Sequence, residues 1–139
     1  MTPTQAALVL ASWSQVYPIR TQAAALFYGR LFQLDPQLRA LFRSPIAEQG
    51  EKLMAMIDIA VRGLDRLDAL LPAVAALGLR HAGYGVQAQH YATVGSALLW
   101  TLEQNLGSAY TPEVREAWAA VYSALSGAML DAAQVPATS

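Results

Sequence analysis

The arrangement of proline constrains this chain more than any other sequence feature. Most of its seven prolines stand near the start of a segment with helical periodicity, where the missing N–H group costs nothing. No segment alternates polar and apolar residues, and no Asn-Gly or Asp-Gly dipeptide marks a hairpin turn. The sequence therefore predicts an all-α fold of helices separated by short connections.

The spacing of apolar residues predicts helices along the whole chain. They cover about 4–16, 19–34, 37–41, 46–63, 88–106 and 112–133, and one more helix contains His81. Asp35 and Thr111 are predicted N-caps, because each stands directly before a proline. Residues 64–71 are predicted to form a connector, with Pro72 in the first turn of the His81 helix.

The composition indicates a single domain, residues 1–139, with a high apolar content. Hydrophobic residues make up 55% of the chain and charged residues only 14%, whereas a typical soluble domain has about 25% charged residues. The mean hydropathy is +0.29. Either a bound apolar cofactor enlarges the interior or an apolar surface meets another subunit, so we expect a monomer or a homodimer.

Charge and cysteine content argue against several classes of function. A formal net charge of −1 and the lack of any basic run disfavour nucleic-acid binding. No run approaches the roughly 18 apolar residues of a membrane span. The absence of cysteine removes disulfides, thiolate nucleophiles and iron–sulfur clusters. The N-terminus lacks the basic region of a signal peptide, so we expect a cytoplasmic protein.

The stretch from Leu71 to Tyr91 contains the most informative histidine. Val74, Leu77 and His81 are spaced by three and four residues, so the imidazole lies at the end of an apolar helical stripe. Such a histidine either bonds to a backbone carbonyl in the core or faces a bound group. On this stretch alone the first role is the more common one.

Polar residues also lie on the apolar stripes of other helices, namely Tyr28, Gln49 and Tyr91. His90, beside Tyr91, is predicted to face solvent. One histidine cannot build a zinc or di-iron site, which needs several protein ligands. A haem ring supplies four nitrogens itself and needs one axial imidazole. No Ser-His-Asp arrangement, Gly-rich phosphate loop or inward pair of carboxylates suggests other chemistry.

Several short motifs occur in an order that is typical of one family. They are Phe27-Tyr28-Gly29-Arg30-Leu31-Phe32, Asp35-Pro36 followed by Leu41-Phe42, Gln49 to Leu53, Arg80-His81 followed by Gly85-Val86, and His90-Tyr91 followed by Val94-Gly95. From about Thr4 to Ala132, the sequence resembles bacterial single-domain haemoglobins of the Vitreoscilla type and the globin domain of flavohaemoglobins. The resemblance implies a globin fold, a helical sandwich around one haem pocket.

The resemblance also implies a role for each matching residue. His81 would be the proximal ligand to the iron of haem b, which is iron protoporphyrin IX. Tyr28 and Gln49 would form the distal polar pair, with Leu53 above the iron and Phe42 packed flat on the haem. The other implied haem contacts are Met56, Leu77, Val86, Tyr91, Val94, Leu98 and Tyr122, with Lys52 and Arg80 placed to meet the propionates.

One position departs from the family pattern. Relatives often carry a glutamate near the end of the last helix, where it completes a hydrogen-bonded chain with the proximal histidine and a tyrosine. The matching residue here is Ala133. Without that carboxylate, His81 should donate less electron density to the iron, which weakens the case for peroxidase-type chemistry.

The resemblance allows two functions, and the residues leave a third one open. The first is reversible O2 binding, for storage or delivery, on a five-coordinate haem. The second is NO dioxygenase activity, for which we expect a separate reductase because the sequence has no G-x-G-x-x-G dinucleotide motif. The third is a helical sensor or interaction module without haem. The expected ligands are O2, NO and CO.

Overall fold

Six α-helices make up most of the described chain, in a computed structural model that covers residues 2–42, 45–83 and 86–134. They are α1 (Pro3–Val16), α2 (Arg20–Leu34), α3 (Ile46–Arg62), α4 (Leu67–Gly83), α5 (Ala88–Leu106) and α6 (Pro112–Gln134). Short 3-10 turns occupy Tyr17–Ile19, Pro36–Leu41, Leu64–Arg66 and Gly107–Ala109. No β-strand occurs within the covered ranges, so the all-α prediction is confirmed.

Local signals explain where several helices begin and end. The Asp35 carboxylate accepts a hydrogen bond from the Gln37 N–H at 3.1 Å, and the Thr111 hydroxyl accepts one from the Val114 N–H at 3.2 Å. Both predicted caps are therefore confirmed. Gly107 follows α5 with a φ of 55°, a conformation that glycine adopts without steric cost.

The start of α4 differs from the prediction. The helix begins at Leu67, so Pro72 lies in its second turn rather than its first. The predicted connector at 64–71 is instead a 3-10 turn that runs directly into the helix. An internal proline removes one backbone hydrogen bond. Pro72 is exposed, however, and the packing of α4 along α6 outweighs that loss.

Two buried tryptophans join the first helix to the rest of the core. Trp13 and Trp118 have ring centroids 6.1 Å apart. The Trp118 indole N–H donates to the Ser12 hydroxyl at 2.8 Å, and that hydroxyl donates to the Leu8 carbonyl at 2.8 Å. The Trp13 indole N–H donates to the Asp58 carboxylate at 3.0 Å, which lowers the pKa of Asp58. Both indole N–H groups are thus paired, as buried polar groups need to be.

Two glycines allow the helices around the centre of the molecule to approach closely. A methyl group on Gly50 would lie 2.9 Å from the Ala24 Cβ, so α3 crosses α2 at this point. A methyl group on Gly78 would overlap the backbone of Met129, so α4 and α6 meet backbone to backbone. The second crossing lies less than one turn before His81, and it therefore fixes the position of that residue.

Replacement of Gly78 with alanine should push α4 away from α6 and destabilise the fold. Met129 contributes backbone atoms at this contact, so a side-chain rotation cannot make room for the methyl group. Overpacking of this kind costs about 1–3 kcal/mol, which urea unfolding followed by circular dichroism should measure.

Gly29→Ala is the matched control for this experiment. Gly29 is also helical, and no described atom beyond its own helix backbone lies within 4 Å of the added methyl group. Alanine there should leave the free energy of unfolding unchanged or raise it by about 0.5–1 kcal/mol. Equal stability of the two variants would contradict the close crossing at Gly78.

Candidate functional site

An apolar cavity lies between α3, α4, α5 and α6, and one residue of α2 contributes to its wall. Nine of the residues that the sequence singled out line this cavity: Leu53, Met56, Leu77, His81, Val86, Tyr91, Val94, Leu98 and Tyr122. They come from four helices and from the segment before α5. The fold therefore brings together residues that are distant in the sequence.

His81 lies near the C-terminal end of α4, and its ring is held by its own helix. Nδ1 lies 2.9 Å from the Leu77 carbonyl oxygen, which accepts the hydrogen bond, so this nitrogen carries the ring proton. In that tautomer Nε2 carries the lone pair. Burial lowers the pKa of His81 and favours the neutral imidazole, which is the form that binds metals. The residue thus makes the carbonyl bond of a core histidine and also lines a cavity, and its contact with a bound group stays a prediction.

The donor set of the cavity is compatible with haem. His81 and His90 present imidazoles on walls that are otherwise mainly hydrocarbon, and a porphyrin needs one axial ligand and an apolar enclosure. Within the described ranges, no group of three His, Cys, Asp or Glu side chains could hold a free metal ion. The residues present therefore suit a metal that arrives with its own ring nitrogens.

A tyrosine ties α6 to α5 beside this cavity. The Tyr122 hydroxyl donates to the Tyr91 carbonyl oxygen at 2.6 Å. Burial raises the pKa of Tyr122, so the phenol remains a donor at neutral pH. Gly95 makes the contact possible, because a methyl group there would lie 2.8 Å from Tyr122 Cε2. The carbonyl next to the Tyr91 side chain is thereby satisfied in an apolar setting.

The predicted distal pair does not line this cavity. Tyr28 is buried, and it lines a separate groove of about 500 Å³ between α2 and α3, together with Ala24, Gly50 and Met54. Gln49 is half-buried and lines neither space. The residue before Tyr28, Phe27, is the one that reaches the cavity wall, because neighbours in a helix point about 100° apart.

The other predicted contacts lie at the margins of the site. Phe42 is half-buried, and its ring meets the Tyr28 ring edge-on with centroids 5.4 Å apart. Lys52 and Arg80 are exposed on α3 and α4. Gly85 lies outside the described residues, and so does the side chain of Ala133 at the end of α6.

Sequence reasoning did not assign several cavity residues to the site. They are Phe27, Ile57, Ala60, Val61, His90, Trp118, Val121, Leu125, Ser126 and Met129. Helical spacing could have found most of the aliphatic ones. Ile57 and Ala60 lie four and seven residues after Leu53, and Leu125 and Met129 lie three and seven residues after Tyr122.

His90 was predicted to face solvent, and the hydrogen bond that its ring accepts is indeed exposed. It is half-buried and lines the same cavity as His81. The backbone N–H of Gln87 donates to His90 Nδ1 at 3.0 Å. This bond caps the first turn of α5, and periodicity alone would not have shown that His90 also lines the cavity.

Among the residues described, no helix combines the length and the hydropathy that crossing a lipid bilayer requires.

The family and the relatives that this chain matches are consistent with its helical fold. The family model described as Globin matches residues 25–129. Neuroglobins from Chaenocephalus aceratus and Danio rerio are each 36% identical to this chain in an alignment 136 positions long, and the matched segments make up 88% of this chain and 86% of each relative.

Two solved structures share the arrangement of helices. An engineered carbene transferase, made from a protein described as a nitric oxide dioxygenase candidate of Rhodothermus marinus, has a TM-score of 0.86 and 30% identity over 99% of this chain and 96% of that chain. A hexacoordinated haem protein from an anhydrobiotic tardigrade has a TM-score of 0.85 at 20% identity, over 96% of each chain, and shows the fold alone. The helices around the His81 cavity form a globin fold, and the chain belongs to the globin family of haem proteins.

Proposed function

We propose that this protein is a haemoglobin of the bacterial single-domain type that binds O2 reversibly on a five-coordinate haem b. The observation that carries the proposal is the His81 imidazole, held by the Leu77 carbonyl on the wall of an apolar cavity. The sequence motifs shared with the Vitreoscilla type and membership of the globin family support it. Haem, when bound, supplies the iron that takes the diatomic ligand. The expected setting is the cytoplasm, in a monomer or homodimer.

In the proposed complex, the residues around His81 would hold its ring in place for the iron and keep water out of the cavity. The hydrogen bond from Nδ1 to the Leu77 carbonyl keeps the His81 ring in one orientation, so little freedom is lost when Nε2 coordinates. Apolar side chains such as Val94 and Leu98 line the cavity. A dry cavity strengthens every electrostatic interaction inside it.

The proposed distal donors are Tyr28 and Gln49. Burial raises the pKa of Tyr28 to about 12, so its phenol keeps its proton at neutral pH. Its ring packs against that of Phe27, a cavity-wall residue, with centroids 5.0 Å apart. Donation to the ligand would require the hydroxyl to leave the groove, where it lies in this structure. Gln49 lies about one turn before Leu53 on α3, and Leu53 lines the His81 cavity.

His81→Ala should abolish stable haem binding, because the variant loses the proposed axial ligand. Wild-type protein reconstituted with haem should show a Soret band that the variant lacks. His81→Gly supplied with free imidazole should regain the band, which separates a lost ligand from a misfolded chain. A colourless wild-type protein would favour a helical module without haem.

The coordination number has its own readout in the same sample. The chain has two histidines, so a bis-histidine spectrum would require His90 as the second ligand. The unliganded ferrous wild type should instead show a five-coordinate spectrum. A six-coordinate bis-histidine spectrum would contradict the proposed state of the iron.

Tyr28→Phe should release O2 faster, because the variant loses a hydrogen-bond donor to the partial negative charge on the ligand. A hydrogen bond to a charged acceptor contributes roughly 1.5–3 kcal/mol, so the off-rate should rise about tenfold or more. Tyr17→Phe is the matched control, since Tyr17 lines the same groove and has no proposed role at the ligand. An unchanged off-rate in Tyr28→Phe would show that the hydroxyl stays in the groove.

The alternative function is NO dioxygenation, which the description of the Rhodothermus marinus relative favours. The reaction joins NO and O2 to give nitrate, and one electron from a separate reductase must restore the ferrous state in each cycle. We expect nitrate in a one-to-one ratio with NO consumed when a reductase and NADH are supplied. Consumption that stops after one equivalent of protein would exclude catalysis and leave O2 binding as the function.

A further inference from the structure

His90 is a polar cavity residue that the proposed O2 chemistry does not use. It lies in the first turn of α5, half-buried, on the wall that it shares with His81. Two other polar groups on that wall have partners. His81 Nδ1 is paired with the Leu77 carbonyl, and the Tyr122 hydroxyl donates to the Tyr91 carbonyl.

The hydrogen bond at Nδ1 determines which nitrogen of His90 carries the proton. Because the Gln87 N–H donates to Nδ1 at 3.0 Å, Nδ1 contributes its lone pair and the ring hydrogen lies on Nε2. His90 therefore presents an N–H donor. No hydrogen bond from Nε2 to another residue is observed within 2–42, 45–83 and 86–134.

The chemistry of haem leaves one kind of acceptor for this donor. The ring edge of protoporphyrin IX carries methyl and vinyl groups, which accept no hydrogen bond, and two propionate carboxylates, which accept strong ones. We propose that His90 Nε2–H donates to a haem propionate and so helps to retain the cofactor. The inference rests on the proposed haem binding, and it concerns a residue outside the predicted propionate pair of Lys52 and Arg80.

The same tautomer argues against His90 as a second iron ligand. Nε2 carries a hydrogen and offers no lone pair, whereas the lone pair of Nδ1 is taken by Gln87. Coordination would break the cap of α5 or require a shift of the ring proton. Donation to a carboxylate needs neither change.

Two substitutions separate the two nitrogens of His90. The amide of asparagine reaches the position of Nδ1. His90→Asn therefore keeps an acceptor for the Gln87 N–H and loses the donor at the position of Nε2. The amide of glutamine reaches the position of Nε2, so His90→Gln keeps that donor. We expect haem loss to an excess of a haem-scavenging apoglobin to be roughly three- to tenfold faster in His90→Asn than in wild type. His90→Gln should remain close to wild type.

A modified cofactor tests whether the propionate is the acceptor. Haem dimethyl ester lacks the carboxylate charges, so with this cofactor the ratio of the haem-loss rates of His90→Asn and wild type should fall towards one. Circular dichroism before haem addition checks that the variants fold. Three results would overturn the proposal. One is that His90→Asn loses haem as slowly as wild type, and another is that the ratio of the two loss rates is the same with the ester as with haem. The third is a bis-histidine spectrum in wild type that His90→Asn abolishes.

The outcome distinguishes this inference from the proposed function. A wild-type protein that takes up no haem would overturn the proposed function itself. Wild type and variants that bind haem with a normal Soret band and equal loss rates would overturn only the role of His90.

Discussion

The close approach of α4 to α6 is the constraint on which the candidate site depends. At Gly78 the two helices meet with no side chain between them, and His81 follows within one turn. In the proposed site a single imidazole would hold the iron of the cofactor, so its position has to be fixed by rigid packing. The hydrogen bond to Leu77 sets the ring orientation, whereas the backbone contact with Met129 sets where the helix lies.

Polar groups near the interior fall into two kinds, and the difference between them indicates function. The Trp118 indole and the Tyr122 hydroxyl each have a protein partner, and their role is to join helices. Tyr28 and the Nε2 atom of His90 make no hydrogen bond to another described residue. Neither donor is fully buried, since among the described residues Arg30 Nε is the side-chain atom that is buried without a partner. Water can therefore pair with both donors in the free protein, and each is a candidate for contact with a ligand.

The predicted helices agree well with the structure where the signal is local. Asp35 and Thr111 cap their helices as predicted, since a side chain, a following proline and a backbone N–H only a few residues away suffice to form the cap. Pro72 and His90 show the limit of the same approach. The prediction for Pro72 followed a local rule that tertiary packing overrode, and that for His90 did not include its place on the cavity wall.

The sequence by itself determined the fold class and the residue type, a histidine, of the candidate metal-binding side chain. Helical periodicity and proline positions exclude sheets, and one imidazole on an apolar stripe in a chain without cysteine leaves few metal centres to consider. Only the tertiary structure decided which neighbouring side chain faces the cavity. Phe27 and Tyr28 are both apolar-stripe residues, and the contact between Gly50 and Ala24 fixes the position of α2 against α3. That contact joins segments far apart in the chain, so no pattern within either helix could reveal it.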